Sequence, residues 1–287
     1  MSTQPVDVTV VIPTHHREKL VVEAAESALA QTGVAVEVIV VDDSKEGSAR
    51  SAIEGIGDPR ACYVQRAVPS GGRPALVRND GLSRARGRFV HFLDDDDLLA
   101  DGALAALSGA LRGSPLAGVA IGAVHPFSRS GDGTGLAWER AYFERGAAVL
   151  RSCRTRFDVV AALLFDDAPL VGSACMVRTD VARAVGGFDP EIEHCGDGEM
   201  VLRAVRASGF VFVDRTVVHY RTGAPSLIHD PKLGRREMAE VYRVIQEKYR
   251  AAHSLPELCA LKLLARARRG LVRPSSAPAS PLSSAPG

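Results

Sequence analysis

The 287-residue sequence is poor in the features that would place it in a specialised class. No uninterrupted apolar run approaches the ~20 residues that cross a bilayer. The start, "MSTQPVDVTVVIP", has no basic segment followed by an apolar stretch of signal-peptide length, and runs straight into a strand-like segment. Charge of one sign is missing too: 35 Lys and Arg against 34 Asp and Glu leave a net charge of +1, which gives no footprint for a nucleic-acid partner. Cysteine is scarce. The five (Cys62, Cys153, Cys175, Cys195, Cys259) are odd in number, scattered, and form no C-x-x-C pair. They read as reduced thiols in a cytoplasmic protein, mostly core filler, and exclude a disulfide framework or cysteine metal site. No internal repeat is found. What remains, 46% hydrophobic and 24% charged, is an ordinary globular composition with ample length for a core.

What is present is an alternation. "VDVTVVIP" reads as a buried strand, β-branched and closed by Pro13, and "REKLVVEAAESALAQTG" follows at helical spacing with Gly33 as its stop. "VAVEVIVVDDS" is a second strand, "ACYVQR" a third, "RPALVRNDGLSRARG" a helix and "RFVHFL" a fourth strand. Short apolar strands alternating with helices predict an α/β fold with a mostly parallel, Rossmann-like sheet flanked by helices. Further on, "LAGVAIGAV" and "PLVGSACMV" read as strands separated by a polar stretch with Trp138, Tyr142 and Phe143. "DGEMVLRAVRASG" is a helix, "FVFVD" and "TVVHYRT" are short strands, and a helical pattern resumes near residue 232. The Pro/Ser/Ala-rich tail 273–287 is expected to be disordered.

In such sheets the ligand crevice lies beyond the carboxyl ends of the strands. Pro13-Thr14-His15-His16, Asp42-Asp43 and Asp94 to Asp97 each follow a strand directly, so three polar clusters converge on one sheet edge. Four adjacent carboxylates repel one another and are explained by a cation. Hard oxygen ligands suit Mg²⁺ or Mn²⁺, and Mg²⁺ commonly binds through one or two carboxylates plus substrate phosphates, so a diphosphate could leave with its charge neutralised. The plainer reading is a solvated acidic turn before the next helix.

The order of these segments resembles the inverting family 2 glycosyltransferases, whose catalytic domain has the GT-A fold, over roughly residues 6–230. "VVIPTHHR" is similar to the family's first strand and nucleotide-binding turn, which implies donor contacts from Pro13, Thr14 and His16. "VIVVDDS" matches its second strand, where Asp43 would recognise the nucleobase. "GGRPALVRNDGLSRARG" resembles "G-G-x-x-x-A-R-N-x-G", implying Arg73 as a nucleotide contact with Arg78 and Asn79 supporting the aspartate loop. "FVHFLDDDDLL" resembles the D-x-D region. There Asp95 and Asp97 bracket the motif, Asp96 would touch the ribose, Asp97 is the leading metal ligand with Asp95 beside it, and Asp94 is structural. "GGFDPEIEHCGDGEMVLR" resembles the segment that supplies the catalytic base and points to Asp197. The base's preceding residue, usually acidic, is Gly196 here, which keeps Glu199 and Glu193 as substitutes and a helix N-cap as the plain reading of Asp197. "VVHYRTGAPSLIHD" looks like the family's "Y-R-x-H-x-x-S" segment with Gly223 in place of its histidine, so His219 or His229 would take the metal-side role.

The resemblance therefore implies a metal-dependent inverting transferase that uses a nucleoside-diphosphate sugar, UDP before GDP or dTDP, as donor. A saccharide, lipid-linked or small-molecule acceptor would stand opposite. Expected organisation is a catalytic domain over 1–230 (nucleotide-binding half about 1–100, acceptor-binding half about 101–230) and a helical extension over 231–272. In the latter, "LKLLARARRGLVR" mixes Leu261, Leu263, Leu264 and Leu271 with Lys262, Arg266, Arg268, Arg269 and Arg273. That pattern suits an anionic membrane surface at the inner face, or packing on the domain. A second copy of the chain is a further candidate partner. Two other readings stay open: a sugar-nucleotide nucleotidyltransferase, although "PTHHREKL" lacks the glycine-rich loop such enzymes carry, and a non-catalytic nucleotide-sugar-binding module.

Overall fold

The computed structural model describes residues 5–128, 136–165, 170–222 and 235–271. Continuous β-branched runs make β1 (Val8–Thr14) and β2 (Val36–Asp42), with β3 (Ala61–Gln65) and β4 (Phe89–Phe92) completing a parallel set. Helices α1 (Glu18–Leu29), α2 (Arg50–Glu54) and α3 (Pro74–Arg84) connect them. Helix α1 ends at Leu29, four residues before the predicted glycine stop. After β4 come β5 (Leu98–Leu99), α4 (Ala103–Gly113), β6 (Val119–Phe127), α5 (Ala137–Ser152), α6 (Arg156–Phe165), β7 (Cys175–Arg178), α7 (Thr179–Ala184), α8 (Gly196–Ser208), β8 (Phe210–Arg221), α9 (Arg235–Ala252) and α10 (Leu255–Leu271).

All eight strands form one sheet in the order β3-β2-β1-β4-β7-β6-β8-β5. The expected parallel arrangement holds from β3 to β4. Beyond that the sheet is mixed: β7 runs antiparallel to both β4 and β6, β6 and β8 are parallel, and β5 returns antiparallel to β8. Two expected short strands are one, β8, whose register against β6 slips on both sides of Ala123 and leaves Asp214 and Arg215 exposed. The stretch read as polar and irregular around Trp138 is helical (α5), with Phe143, Gly146 and Leu150 on its buried face.

Alternate residues of the central strands face opposite layers. Val8, Val10 and Ile12 of β1 belong to one buried layer with residues of α1 and α4, while Val11 belongs to the other with residues of α3, α6 and α8. Both sheet faces are thus covered, which is why these strands are mostly apolar, with Thr9, Glu37 and His91 buried among them. Gly81 of α3 permits one close approach, since a Cβ there would lie 2.2 Å from Val11 Cγ1. That fixes α3 against β1 and brings its arginine to the strand ends. Helix α10 lies on the second layer through Leu261 and Ala265. Arg268 is buried as well, its Nη1 donating to Cys153 Sγ at 3.0 Å and its Nη2 to Ser152 Oγ at 2.8 Å, so it is not available to a membrane face. None of the five cysteines is in a disulfide; Cys153 and Cys175 are buried but Cys62 and Cys259 exposed, so core filling accounts for fewer of them than expected. The 273–287 tail and its Arg273 lie outside the described residues.

Candidate active site

Parallel strands β1, β2 and β4 end at the same sheet edge, and their loops meet there. From the β1 end, Thr14 Oγ1 donates to Asp95 Oδ2 at 2.8 Å, and Arg17 Nη1 donates to Asp95 Oδ1 and Asp96 Oδ2, both at 2.9 Å. From α3, Arg78 Nη2 reaches Asp94 Oδ1 at 2.6 Å, and the Asp94 N–H donates to Ser173 Oγ at 3.1 Å. From the end of β8, the Arg221 N–H donates to Asp97 Oδ1 at 3.1 Å while its Nε donates to the Asp96 carbonyl at 2.7 Å. Arg221 is itself steadied by Glu23 at 2.8 Å.

These contacts separate the four aspartates. Burial pushes Asp95 up to about 6 against the pull of Arg17 and Thr14. Burial also raises Asp96, with Asp94 adding and Arg17 opposing, and raises Asp97 well above the carboxylate range, Asp94 and Asp96 adding to the effect. Both oxygens of Asp95 are already engaged. Asp97 is 1% exposed, and its Oδ2 makes no hydrogen bond among the described residues. A buried anionic oxygen without a donor is costly unless a cation or proton joins it. The donor set therefore fits a hard divalent cation. No group of three or more Asp, Glu, His or Cys side chains forms a ready-made cage among the described residues. Substrate oxygens and water would have to complete the shell, as Mg²⁺ commonly requires.

Asp197 lies at the start of α8, in its first turn. The cap position belongs to Cys195 (φ +58°), so Asp197 is not the N-cap. Its Oδ2 accepts the Gly172 N–H at 2.8 Å and its Oδ1 the Gly198 N–H at 2.9 Å. Burial raises its pKa, with Arg78 opposing and Asp94 adding. Burial also opposes the charge on Arg78, yet Asp94 and Asp197 outweigh it and hold the guanidinium above its ordinary value. One arginine thus stands between the two acidic loops. No side chain of Gly196 is missed sterically, for a Cβ there would meet nothing within 4 Å. Glu199 is buried and spent on a two-point pair with Arg203, 2.6 Å at each oxygen, whose Nη2 also donates to the Gly187 carbonyl at 2.7 Å. Glu193 is exposed. Asn79 contacts a different loop from the one expected: it exchanges two 2.8 Å bonds with the backbone of Phe188 and so holds the "GGFD" turn.

At the β2 end, Asp42 is used locally, accepting the N–H groups of Ser44 and Ala49 and the Tyr63 hydroxyl. Asp43 is buried, accepts the Ser70 N–H and hydroxyl at 2.7 and 2.6 Å, and lies 3.1 Å from Arg66 Nε. Arg73 is exposed at the head of α3, following Gly71 and Gly72, with its N–H on Ser70 Oγ at 3.0 Å. Pro13 is half-buried beside Val41, and His16 is exposed at φ +54° with its Nδ1 3.4 Å from Glu46. A cavity of about 390 Å³ beside Asp43 is lined by Lys45, Arg50, Gln65, Arg66, Ala67 and Pro69.

The structure does not bring His219 to the aspartates. It pairs with Leu98 across the β5–β8 ladder, its ring meets His125 (5.8 Å) and Phe127 (6.4 Å), and it lines a separate cavity with Asp101 and Arg215. His229 and Gly223 lie outside the described residues. Sequence reasoning missed Arg17 and Arg221. Arg17 stands directly after the first polar turn, but nothing local told it from the other surface arginines.

The sequence model described as "Glycosyl transferase family 2" matches residues 9–170. The chain is 42% identical over 91 residues to the succinoglycan biosynthesis protein ExoO of Rhizobium meliloti, covering 32% of this chain and 26% of that one. It is 37% identical over 101 residues to the GalNAc(5)-diNAcBac-PP-undecaprenol beta-1,3-glucosyltransferase of Campylobacter jejuni, covering 34% and 32%. These matches therefore span about a quarter to a third of the relatives' length. Among solved structures, S. aureus TarS in complex with UDP-GlcNAc superposes with a TM-score of 0.65 at 18% identity, covering 90% of this chain and 70% of that one. The mannosyltransferase PcManGT of Pyrobaculum calidifontis, in complex with GDP-Man and Mn²⁺, gives 0.52 at 18%, covering 94% and 82%. At such identity the likeness is one of fold, and that fold is GT-A.

Proposed function

Because the chain belongs to glycosyl transferase family 2, we propose that it moves a sugar from a nucleoside-diphosphate sugar, UDP before GDP or dTDP, to an acceptor hydroxyl with inversion at C1. The observation that carries this reading is the division of acids into two loops on either side of Arg78: a crowded one suited to a cation and diphosphate, and a single raised carboxylate suited to a proton.

In this reading residues 1–100 hold the donor. Asp43 and Arg73 take the nucleotide, Pro13, Thr14 and His16 border it, and Asp96 meets the ribose. Asp97, whose Oδ2 has no hydrogen-bond partner among the described residues, and its neighbour Asp95 would hold Mg²⁺ or Mn²⁺. The cation's role is to carry the negative charge that builds on the departing diphosphate. Arg17 and Arg221 keep the turn from flying apart when the site is empty. Residues 101–230 present the acceptor. Asp197 takes the proton from the acceptor hydroxyl, whose oxygen forms the new bond to C1 while the C1–O bond to the diphosphate breaks and leaves its electron pair there. A raised pKa suits this task, since a stronger base accepts the proton more readily at neutral pH.

Names of the relatives favour a polysaccharide or lipid-linked acceptor. A cytoplasmic site, peripheral at the membrane, belongs to the same proposal: Lys262, Leu263 and Arg266 face outward on α10. No helix among the described residues is long and apolar enough to cross a membrane.

The test is thermal unfolding across a panel of nucleotide sugars with and without Mn²⁺. A donor at about 100 times its Kd adds about 2.7 kcal/mol of apparent stability. A metal-dependent shift in the native chain that disappears in Asp97→Asn is the expected result. An unchanged shift in that variant overturns the metal assignment, and no shift with any nucleotide overturns the function.

A further inference from the structure

We propose that Trp138, backed by Tyr142, is the surface on which the acceptor's pyranose ring stacks; this rests on the transferase reading above. Trp138 and Tyr142 stand one turn apart on α5 and lie nearly parallel, with centroids 4.9 Å apart and planes inclined by 18°. Tyr142 meets Phe143 edge-on at 5.4 Å, and Phe143 meets Tyr220 at 5.1 Å. Tyr220 is next to Arg221, whose N–H holds Asp97. Phe143 belongs to the same buried layer as Val171 and Ala174, which flank Gly172, whose N–H holds Asp197. The row of rings therefore runs from Trp138 to the residue before Arg221, at the edge of the aspartate turn.

Trp138 is the outermost ring of this row. It is half-buried and, among the described residues, belongs to neither hydrophobic cluster, whereas Tyr142 packs on one of them. A packed tyrosine under a partly open indole holds the ring in place before any ligand arrives, so little side-chain freedom is left to lose on binding. A flat apolar ring matches a pyranose, which presents one face of C–H groups.

Trp138 is the chain's only tryptophan, so intrinsic emission reports on this position alone. With the full chain saturated by UDP and Mn²⁺, methyl glucopyranoside, galactopyranoside and N-acetylglucosaminide are titrated, with sorbitol as the open-chain control. The expected result is a saturable emission change with at least one pyranoside and none with sorbitol. Using that pyranoside as acceptor, Trp138→Ala should raise the concentration giving half-maximal UDP release by about 2- to 10-fold, as expected for loss of one aromatic stacking contact. Trp138→Phe should keep most of the affinity. If no pyranoside alters the emission while UDP with Mn²⁺ still stabilises the protein, the platform is wrong and the transferase reading stands. An unchanged half-maximal concentration in Trp138→Ala also overturns it. If UDP itself fails to bind, both fall together.

Discussion

Four side chains from three distant points converge on Asp94–Asp97: Thr14 and Arg17 from the end of β1, Arg78 from α3, and Arg221 from the end of β8. Asp197, by contrast, is held by two backbone N–H groups, of Gly172 and Gly198. The first loop collects charge and needs countercharge from several elements at once. The second holds one carboxylate with neutral dipoles, so its proton affinity can rise without any partner being displaced. Arg78 is the cation that both loops feel. Like charge is thus handled in two ways, one fit for binding a cation and one for moving a proton.

Four variants probe that contrast. Asp197→Asn removes the proton acceptor but keeps the shape, and should lower kcat by about 10²- to 10⁴-fold while nucleotide-induced thermal stabilisation remains. Loss of donor binding in this variant would show that the two loops are not separable. Arg78→Met leaves Asp94 and Asp197 without their shared, partly buried cation and should cost about 1.5–3 kcal/mol in denaturant unfolding. A cost near zero would mean that the loops do not depend on it.

His91, on β4 behind the aspartate turn, tests the burial of that region. Burial pushes its imidazole down to about 4, with Ser173 and Asp94 offsetting only part. The fold therefore holds it neutral while the unfolded chain, with a pKa of about 6.5, takes up a proton. Stability should fall as pH drops from about 6.5 towards 4, by up to about 3 kcal/mol. His91→Leu should flatten that slope, and an unchanged slope would place the acid-sensitive group elsewhere. The smallest effect is expected at Glu257, which ties α10 to Arg206 at the far end of the helix that begins beside Asp197. Hydrogen bonding to Arg206 lowers it to about 2. Its contribution is present above about pH 4.5 and lost as pH falls towards 2. The pair is partly exposed, so Glu257→Gln should cost under about 1 kcal/mol in unfolding and leave kcat unchanged.

The first half of the sheet was legible because β1, β2 and β4 are buried on both faces and close on Pro13, Asp42 and Asp94, so composition marks them. Direction was not legible beyond β4. Nothing within "CMVR" distinguishes a strand that runs antiparallel between β4 and β6 from one that runs parallel. The register slip around Ala123 lets β8 pass through Asp214 and Arg215, which interrupt its apolar pattern and made one strand look like two. Helix α5 hid behind its charged face, although Phe143, Gly146 and Leu150 recur at helical spacing. In the candidate site, the aspartates and Asp197 carry local motifs. Arg17 and Arg221 sit inside matched segments, yet their pairing with the aspartates was not legible, because it depends on where the ends of β1 and β8 meet in space.

The Gly187–Asn79 contact bears on transplantation of the site. A Cβ on Gly187 would lie 2.4 Å from Asn79 Oδ1, the atom that receives the Phe188 N–H, and Gly187 itself sits at φ +68°. Two motifs more than a hundred residues apart are therefore interlocking halves of one joint. A chimera that takes the "GGFD" segment from one protein and the α3 segment from another inherits a mismatch unless both halves travel together.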